Sequence, residues 1–84
     1  MDLEEQFEQA QIDAKMLPEK PDNMTMLEMY GLFKQAWSGD VDDPRPGFTD
    51  MVGRAKWDAW AELKGMSRED AMRKYIDLIA RLND

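Results

Sequence analysis

The sequence predicts an all-α fold, a four-helix bundle that forms one domain of residues 1 to 84. Four segments carry apolar residues at the 3.6-residue spacing of a helix. Proline, glycine and capping residues separate these segments. Eighty-four residues suffice for one modest core, and the chain shows no internal repeat and no second domain.

The first helix is predicted over residues 3 to 17. Its apolar residues lie on one narrow stripe: Leu3, Phe7, Ala10, Ala14 and Leu17. Pro18 ends the helix because proline lacks an amide proton and clashes with the preceding turn. Lys15 lies at the flank of the stripe, near the C-terminal end of the helix. Its position is equally consistent with a solvated lysine that interacts favourably with the helix dipole and with a lysine that contacts a ligand.

The second helix is predicted from an N-cap at Asp22 to about Ser38, with Gly39-Asp40 as its stop. One arc holds its large apolar residues: Met26, Leu27, Tyr30, Phe33 and Trp37. Such a stripe, taken alone, is more often core than a ligand site. Gly31 lowers the stability of the helix by roughly 1 kcal/mol relative to alanine. It indicates either a tolerated cost or the close approach of another backbone or a ligand.

Residues 39 to 51 show no periodicity and are rich in glycine, proline and aspartate, which predicts a long loop between helices two and three. A loop of this length allows those two helices to run parallel. Arg45 is predicted to anchor the loop by pairing with a carboxylate rather than to contact a ligand. The acidic cluster at 40 to 43 lacks the spacing of a calcium loop, and we predict no metal site there.

The third helix is predicted over about 52 to 64, ending at Lys64-Gly65, and its apolar arc holds Val52, Ala59, Trp60 and Leu63. Ser67 and Asp70 resemble a capping box that starts the fourth helix, at about 68 to 82. Tyr75 lies in the middle of the fourth helix's apolar arc. Its hydroxyl therefore needs a partner if the ring is buried.

Composition excludes several classes of function. The net charge of −7 argues against general nucleic-acid binding, which needs a basic surface. Without cysteine or histidine the chain has no thiol nucleophile, no imidazole base and few ways to bind zinc. No apolar run approaches the ~20 residues that span a bilayer. The spacing of the carboxylates singles out no catalytic pair.

Two lysines lie on inward-facing stripes. Lys34 falls between Leu27 and Tyr30 on the second helix, and Lys56 falls inside the apolar arc of the third. Burying an unpaired ammonium is costly, although a lysine can bury its stem and keep its charge in water. Two such lysines among aromatic residues favour a ligand with phosphates, an aromatic base and a long apolar part.

The chain strongly resembles the acyl-CoA-binding proteins from about Phe7 to Leu82. The most specific motifs are Tyr30-Gly-Leu-Phe-Lys-Gln-Ala36, Gly39-Asp40, Arg45-Pro-Gly47 and Gly53-Arg-Ala-Lys-Trp-Asp-Ala-Trp60, followed by Leu63-Lys-Gly65 and Tyr75-Ile76. They match in register and without gaps, which makes chance similarity very improbable.

The resemblance implies an up-down-down-up bundle and a single acyl-CoA-binding domain over residues 1 to 84. It implies a cytoplasmic, monomeric carrier that binds medium- to long-chain fatty acyl-CoA reversibly and non-covalently, and that is not an enzyme. Its expected partners are acyl-CoA itself and acyl-CoA-using enzymes. It is expected to use no cofactor or metal, to bind no nucleic acid and to make no stable membrane insertion.

The resemblance also implies ligand-binding residues at the nucleotide end. Tyr30, Lys34 and Lys56 match the positions that hold the 3′-phosphate of the CoA ribose. Lys15 and Tyr75 match further contacts to the nucleotide. Phe33 occupies the position of a tyrosine whose ring stacks on adenine, so stacking is expected to survive without the hydroxyl's hydrogen bond.

Met26 and Leu27 match residues near the acyl chain. Trp37 is a second departure, since a smaller residue such as threonine is common in the family, and it could fill part of the groove and alter the chain-length preference.

Two other classes of function stay open on the residues alone. One is a helical interaction module that docks a partner helix in the methionine- and aromatic-rich groove. The other is an enzyme acting on acyl-CoA, such as a thioesterase or an isomerase, although the chain lacks the usual nucleophile–base pair.

Overall fold

The computed structural model describes residues 1–84 and contains four helices and no strand. Helix α1 spans Leu3–Lys15, α2 spans Asn23–Ser38, α3 spans Met51–Ala61 and α4 spans Arg68–Leu82. The predicted all-α bundle and the long loop between α2 and α3 are confirmed.

Each helix begins at a capping side chain that accepts the amide three residues on, which satisfies one of the free N–H groups of the first turn. The four caps are Asp2, Asp22, Asp50 and Ser67, with oxygen–nitrogen distances of 2.8 to 3.0 Å. The prediction for Asp22 is confirmed. The capping box at Ser67 is only half formed, because the carboxylate of Asp70 accepts from Arg73 instead of returning a bond to the Ser67 amide.

Two helices end earlier than predicted. Helix α1 ends at Lys15 rather than 17, because the residue before Pro18 is pushed out of the helical region. Helix α3 ends at Ala61 rather than 64. There the amides of Leu63 and Lys64 donate to carbonyls three residues back, and the tightened turn finishes at Gly65 with a φ of +94°.

Side-chain contacts fix the direction of the helices. Tyr30 of α2 contacts Lys56 of α3. One turn further along both helices, Lys34 contacts Trp60, so α2 and α3 run parallel. Arg68, in the first turn of α4, donates to the Ala36 carbonyl near the end of α2. Tyr75, further along α4, contacts Phe33, which lies earlier in α2, so α2 and α4 are antiparallel.

Helices α1 and α4 run parallel, since their first turns lie side by side and Phe7 meets Tyr75 one to two turns later. The order is therefore up-down-down-up, as predicted. The core lies among α1, α2 and α4, and α3 packs on α2 alone.

The buried face of α2 differs from the predicted apolar stripe. The residues it buries are Gly31, Leu32, Gln35 and Ala36. The stripe of large apolar residues is half-buried or exposed instead, and Trp37 keeps 61% of its surface. Small residues on the other face let neighbouring backbones approach closely, a feature that a comparison of apolar side chains alone does not detect.

The predicted apolar arc of α3 is wrong at its N-terminal end. Val52 is 67% exposed, and Trp60 is the one residue of α3 that is buried. A helix with a single neighbour can bury only a narrow strip of its surface. The rest of the arc, Lys56 included, therefore reaches solvent.

Gln35 joins three parts of the fold from a fully buried position. Its Nε2 donates to Asp40 at 2.8 Å and to the Met66 carbonyl at 2.7 Å. Asp40 also accepts from the Gly65 amide at 2.9 Å. These donors, the Gly65 amide first and Gln35 second, hold the pKa of Asp40 below its usual value. The network ties the end of α2 to the turn between α3 and α4.

Replacing Gln35 by alanine is expected to lower the free energy of unfolding by about 2 kcal/mol, because the Met66 carbonyl and the Asp40 carboxylate lose a buried donor. Urea denaturation measures the change. Gln9→Ala is the matched control, because Gln9 is exposed and bonds only Asp13 on its own helix. A loss no larger than that of the control would show that the network does not stabilise the fold.

Candidate functional site

The parallel pair α2 and α3 meets at a close backbone contact. A methyl carbon placed on Gly31 would lie 2.7 Å from the Ala59 carbonyl oxygen and 3.0 Å from its carbon. Only glycine allows α3 to come this near. Of the two explanations left open for Gly31, the close approach of another backbone is confirmed.

This contact forms what we call the α2–α3 seam, built from Tyr30, Lys34, Lys56 and Trp60. The Lys34 ammonium lies 4.8 Å from the centre of the Trp60 ring. The Lys56 ammonium lies 5.6 Å from the centre of the Tyr30 ring. Each cation thus sits within the ~6 Å range of a cation–π contact, and each belongs to a different helix from its ring.

Neither seam lysine is neutralised by a carboxylate. The structure contains two ion pairs, Arg45 with Asp58 and Arg73 with Asp70. Aromatic rings attract a cation without cancelling its charge. The seam therefore presents two positive charges, on a half-buried and an exposed side chain, that are free to bind an anion.

The buried Trp60 fixes the floor of the seam. It is 3% exposed, and its indole N–H donates to the Gly39 carbonyl at 2.8 Å, just beyond the end of α2. The helical period predicts that this ring lies beside Lys56 on its own helix. The structure shows it beneath Lys34 of the neighbouring helix, a contact that periodicity within one helix cannot reveal.

The long loop is fastened to α3 behind the seam. Arg45 donates to both carboxylate oxygens of Asp58, at 3.0 and 2.8 Å, as predicted for a residue that anchors the loop. This contact lowers the pKa of Asp58. The Trp57 indole N–H donates to the Asp43 carbonyl at 2.8 Å. None of the aspartates of the loop forms an ion pair with Lys34 or Lys56.

A cluster of four rings lies next to the seam, where α1, α2 and α4 meet. Phe33 contacts Phe7 at 6.0 Å and Tyr75 at 6.4 Å between ring centres. Phe7 meets Tyr75 edge-on at 5.3 Å. Trp37 lies nearly parallel to Phe33, with centres 6.1 Å apart and planes at 15°. Phe33 is thus held by three neighbours while staying only half-buried.

The Tyr75 hydroxyl makes no hydrogen bond within the protein. Its ring is buried, and burial raises the pKa of the hydroxyl. The hydroxyl oxygen is nonetheless not fully enclosed, since the Gln35 amide oxygen is the single side-chain atom that is both fully enclosed and without a hydrogen-bond partner. The hydroxyl therefore needs no partner from the fold itself and is free to meet solvent or a ligand.

Three predicted site residues stand outside these two clusters. Lys15 is the last residue of α1, exposed and without an ion pair, and the structure does not join it to the seam. Met26 is 41% exposed and Leu27 half-buried, both in the first turns of α2. The structure thus brings Tyr30, Lys34 and Lys56 together, and Phe33 with Tyr75.

The structure contains neither a metal-binding cluster nor a helix that could span a membrane. No three potential metal-ligating side chains lie close enough together to hold a metal ion. None of the four helices combines the length and the apolar character that crossing a bilayer requires.

Comparison with known proteins finds strong similarity along the whole fold. Residues 4–79 match the family model described as acyl CoA binding protein. The chain is 49% identical over 82 residues to acyl-CoA-binding domain-containing protein 1 of Oryza sativa subsp. japonica, covering 98% of this chain and 90% of the relative. It is 46% identical over 82 residues to the acyl-CoA-binding protein of Fritillaria agrestis, covering 98% and 94%.

The fold is equally similar to solved structures. The crystal structure of Oryza sativa acyl-CoA-binding protein 2 superposes with a TM-score of 0.91 at 44% identity, covering 95% of this chain and 87% of that one. The crystal structure of the corresponding protein from Moniliophthora perniciosa gives a TM-score of 0.88 at 38% identity, covering 98% and 80%.

Proposed function

Because the chain belongs to the acyl-CoA-binding protein family, we propose that it binds medium- to long-chain fatty acyl-CoA thioesters reversibly and carries or buffers them. The observation that carries this proposal is the α2–α3 seam, where two ammoniums lie over aromatic rings without a carboxylate partner. A phosphate is the natural ligand for such a pair of charges.

We assign the 3′-phosphate of the CoA ribose to Lys34 and Lys56, with the Tyr30 hydroxyl as a further donor. The two ammoniums come from parallel helices and flank one stretch of surface. A hydrogen bond to a charged group contributes about 1.5–3 kcal/mol where solvent is excluded. Two of them would therefore supply a substantial share of the binding free energy.

We assign the adenine to the ring of Phe33. Trp37 stacks alongside that ring, and Phe7 and Tyr75 support it from α1 and α4. A supported aromatic ring needs no hydroxyl to stack on a base. The free Tyr75 hydroxyl and the unpaired Lys15 are proposed as further contacts to the nucleotide end.

The acyl chain is proposed to lie along the first turns of α2, against Met26 and Leu27. Since α2 and α3 run parallel, both helices begin at the same end of the molecule. Most of the strongly exposed large hydrophobic side chains belong to these first turns or directly precede them: Met24, Met26, Phe48, Met51 and Val52. A concentration of exposed apolar surface suits a hydrocarbon chain.

We further propose that the protein is a monomeric carrier without catalytic activity, and that it passes its ligand to acyl-CoA-using enzymes. The seam contains cations and rings but no nucleophile paired with a base. A cytoplasmic location is proposed as well, since a chain without cysteine fits a reducing compartment.

Calorimetric titration with palmitoyl-CoA, free CoA and palmitate tests the function. Tight one-to-one binding of the thioester is expected, with weak binding of CoA and negligible binding of the fatty acid, because only the thioester engages both the seam and the apolar surface. Absence of heat together with failure to compete for acyl-CoA would contradict the proposal. Release of free thiol during incubation would contradict the non-catalytic role.

A further inference from the structure

A second concave surface lies between α3 and α4, and we call it the α3–α4 groove. It is an open groove with a volume of 1210 Å³. Its apolar lining is contributed by all three surrounding elements: Met24, Leu27, Leu32, Ala55, Ala59, Leu63, Met66 and Ala80. Of the residues proposed to contact acyl-CoA, Met24 and Leu27 line this groove, both at the acyl-chain end. Neither seam lysine does.

The groove exists because α3 and α4 each pack against α2 but not against each other. Helix α2 therefore forms the floor of a V whose walls are α3 and α4. The buried Leu32 and the half-buried Leu63 and Met66 form apolar surface within the V. In this fold no fifth helix covers it.

The rim of the groove is predominantly acidic. Glu28, Glu62, Asp77 and Asp84 line it and form no ion pair, while Asp58 is already held by Arg45. The opposing charges on the rim are Lys74 and Arg81. Four unpaired acids against two bases leave the rim negative, and the whole chain has a net charge of −7.

We propose that the α3–α4 groove docks a short basic amphipathic helix from another protein. The occupant's apolar face would lie on the α2 floor, and its lysines or arginines would face the unpaired carboxylates of the rim. A strand is a poor fit, because the surrounding helices satisfy their own backbone groups and offer no sheet edge.

The dimensions suit a segment of chain better than a small molecule. The volume exceeds the ~300–1,000 Å³ of typical small-molecule pockets. The lining residues of α4 extend from Lys74 to Arg81. At 1.5 Å per residue that is a length of about 10 Å, or about two turns of a docked helix.

This docking surface uses none of the seam residues, and it shares Met24 and Leu27 with the surface proposed for the acyl chain. On α3, the seam uses Lys56 and Trp60, whereas the groove uses Ala55 and Ala59. A partner helix in the groove would leave the seam lysines uncovered.

The test uses a synthetic amphipathic peptide of about 15 residues, with leucines at i, i+3, i+4 and i+7 and lysines elsewhere. It is titrated into the full chain labelled with ¹⁵N, and amide shifts are followed by NMR. Saturable one-to-one binding is expected, with the largest shifts at Ala55, Ala59, Leu63 and Ala80. A peptide of the same composition in scrambled order is expected to bind much more weakly.

Charge reversal supplies the matched control. The double variant Glu62→Lys with Asp77→Lys is expected to weaken peptide binding about tenfold or more, because attraction becomes repulsion at both walls. Glu8→Lys with Glu19→Lys changes the net charge equally at exposed sites outside the groove and is expected to have a much smaller effect. Palmitoyl-CoA affinity, measured on both, reports separately on the seam.

Three results would overturn the proposal. The first is equal binding of the scrambled peptide, and the second is an equal loss in the two double variants, since either would mean non-specific attraction to an acidic protein. The third is a set of shifts centred on Phe33 and Lys34, which would place the peptide on the acyl-CoA surface.

Discussion

Alanine at Lys34 or at Lys56 is expected to weaken long-chain acyl-CoA binding about tenfold or more. Each ammonium faces a ring and no carboxylate, so its charge is available to the ligand's phosphate. A charged hydrogen bond contributes about 1.5–3 kcal/mol, and 1.4 kcal/mol corresponds to a factor of ten in affinity. Calorimetry on each variant measures the loss.

A ligand change identifies which phosphate the lysines bind. Palmitoyl-(3′-dephospho)-CoA lacks the phosphate assigned to the seam. It is expected to bind the natural protein weakly, and removing Lys34 or Lys56 is then expected to cost little more. An undiminished loss with this ligand would move the lysines to another phosphate of CoA.

The control variant is Lys20→Ala, which removes an exposed lysine from the loop between α1 and α2. Its binding is expected to stay within about twofold of the natural protein, since an exposed charge without a partner contributes little. Wild-type affinity in both seam variants would contradict the assignment of the site.

Gly31→Ala is expected to produce the largest loss of stability, about 3 kcal/mol of unfolding free energy. The new methyl carbon would lie 2.7 Å from the Ala59 carbonyl oxygen, and a backbone atom cannot rotate away as a side chain can. Helix α3 has to shift, and it carries Lys56 and Trp60 with it. Acyl-CoA binding is therefore expected to weaken in the same variant.

Urea denaturation and calorimetry on Gly31→Ala measure the two effects. Gly47→Ala is the control, because nothing lies within 4 Å of a methyl carbon added there. It is expected to leave both stability and binding nearly unchanged. A Gly31→Ala variant as stable as the control would show that α3 can move aside at no cost.

Much of the fold was predictable because its signals are local. A cap such as Asp22 bonds an amide three residues away, and Pro18 stops the helix that precedes it. The loop's pairing of Arg45 with a carboxylate was also predicted. These features depend on short stretches of chain, and short stretches can be judged without knowing what packs against them.

The candidate site was predictable in part for the same reason. Lys34 stands out because a charge interrupts an apolar stripe, and this can be seen within one helix. The resemblance to acyl-CoA-binding proteins added Phe33, Tyr75 and Lys15 as predictions, and their roles await the binding measurements. Tyr75 makes no hydrogen bond within the fold, and its hydroxyl is not fully enclosed, so solvent or a ligand can supply the partner.

Sequence alone predicted the four helices, the caps Asp22 and Ser67 that begin two of them, and the lysines that interrupt apolar surface. The packing of the helices sets which face of α2 is buried, leaves Val52 exposed and places Trp60 beneath Lys34. These two groups of features differ in the distance along the chain over which their causes act. Caps and periodicity act within a few residues, whereas burial depends on how closely a neighbouring helix approaches. Gly31 permits the close approach of α2 and α3 because the Ala59 carbonyl packs directly against it, and these two residues are far apart in the sequence.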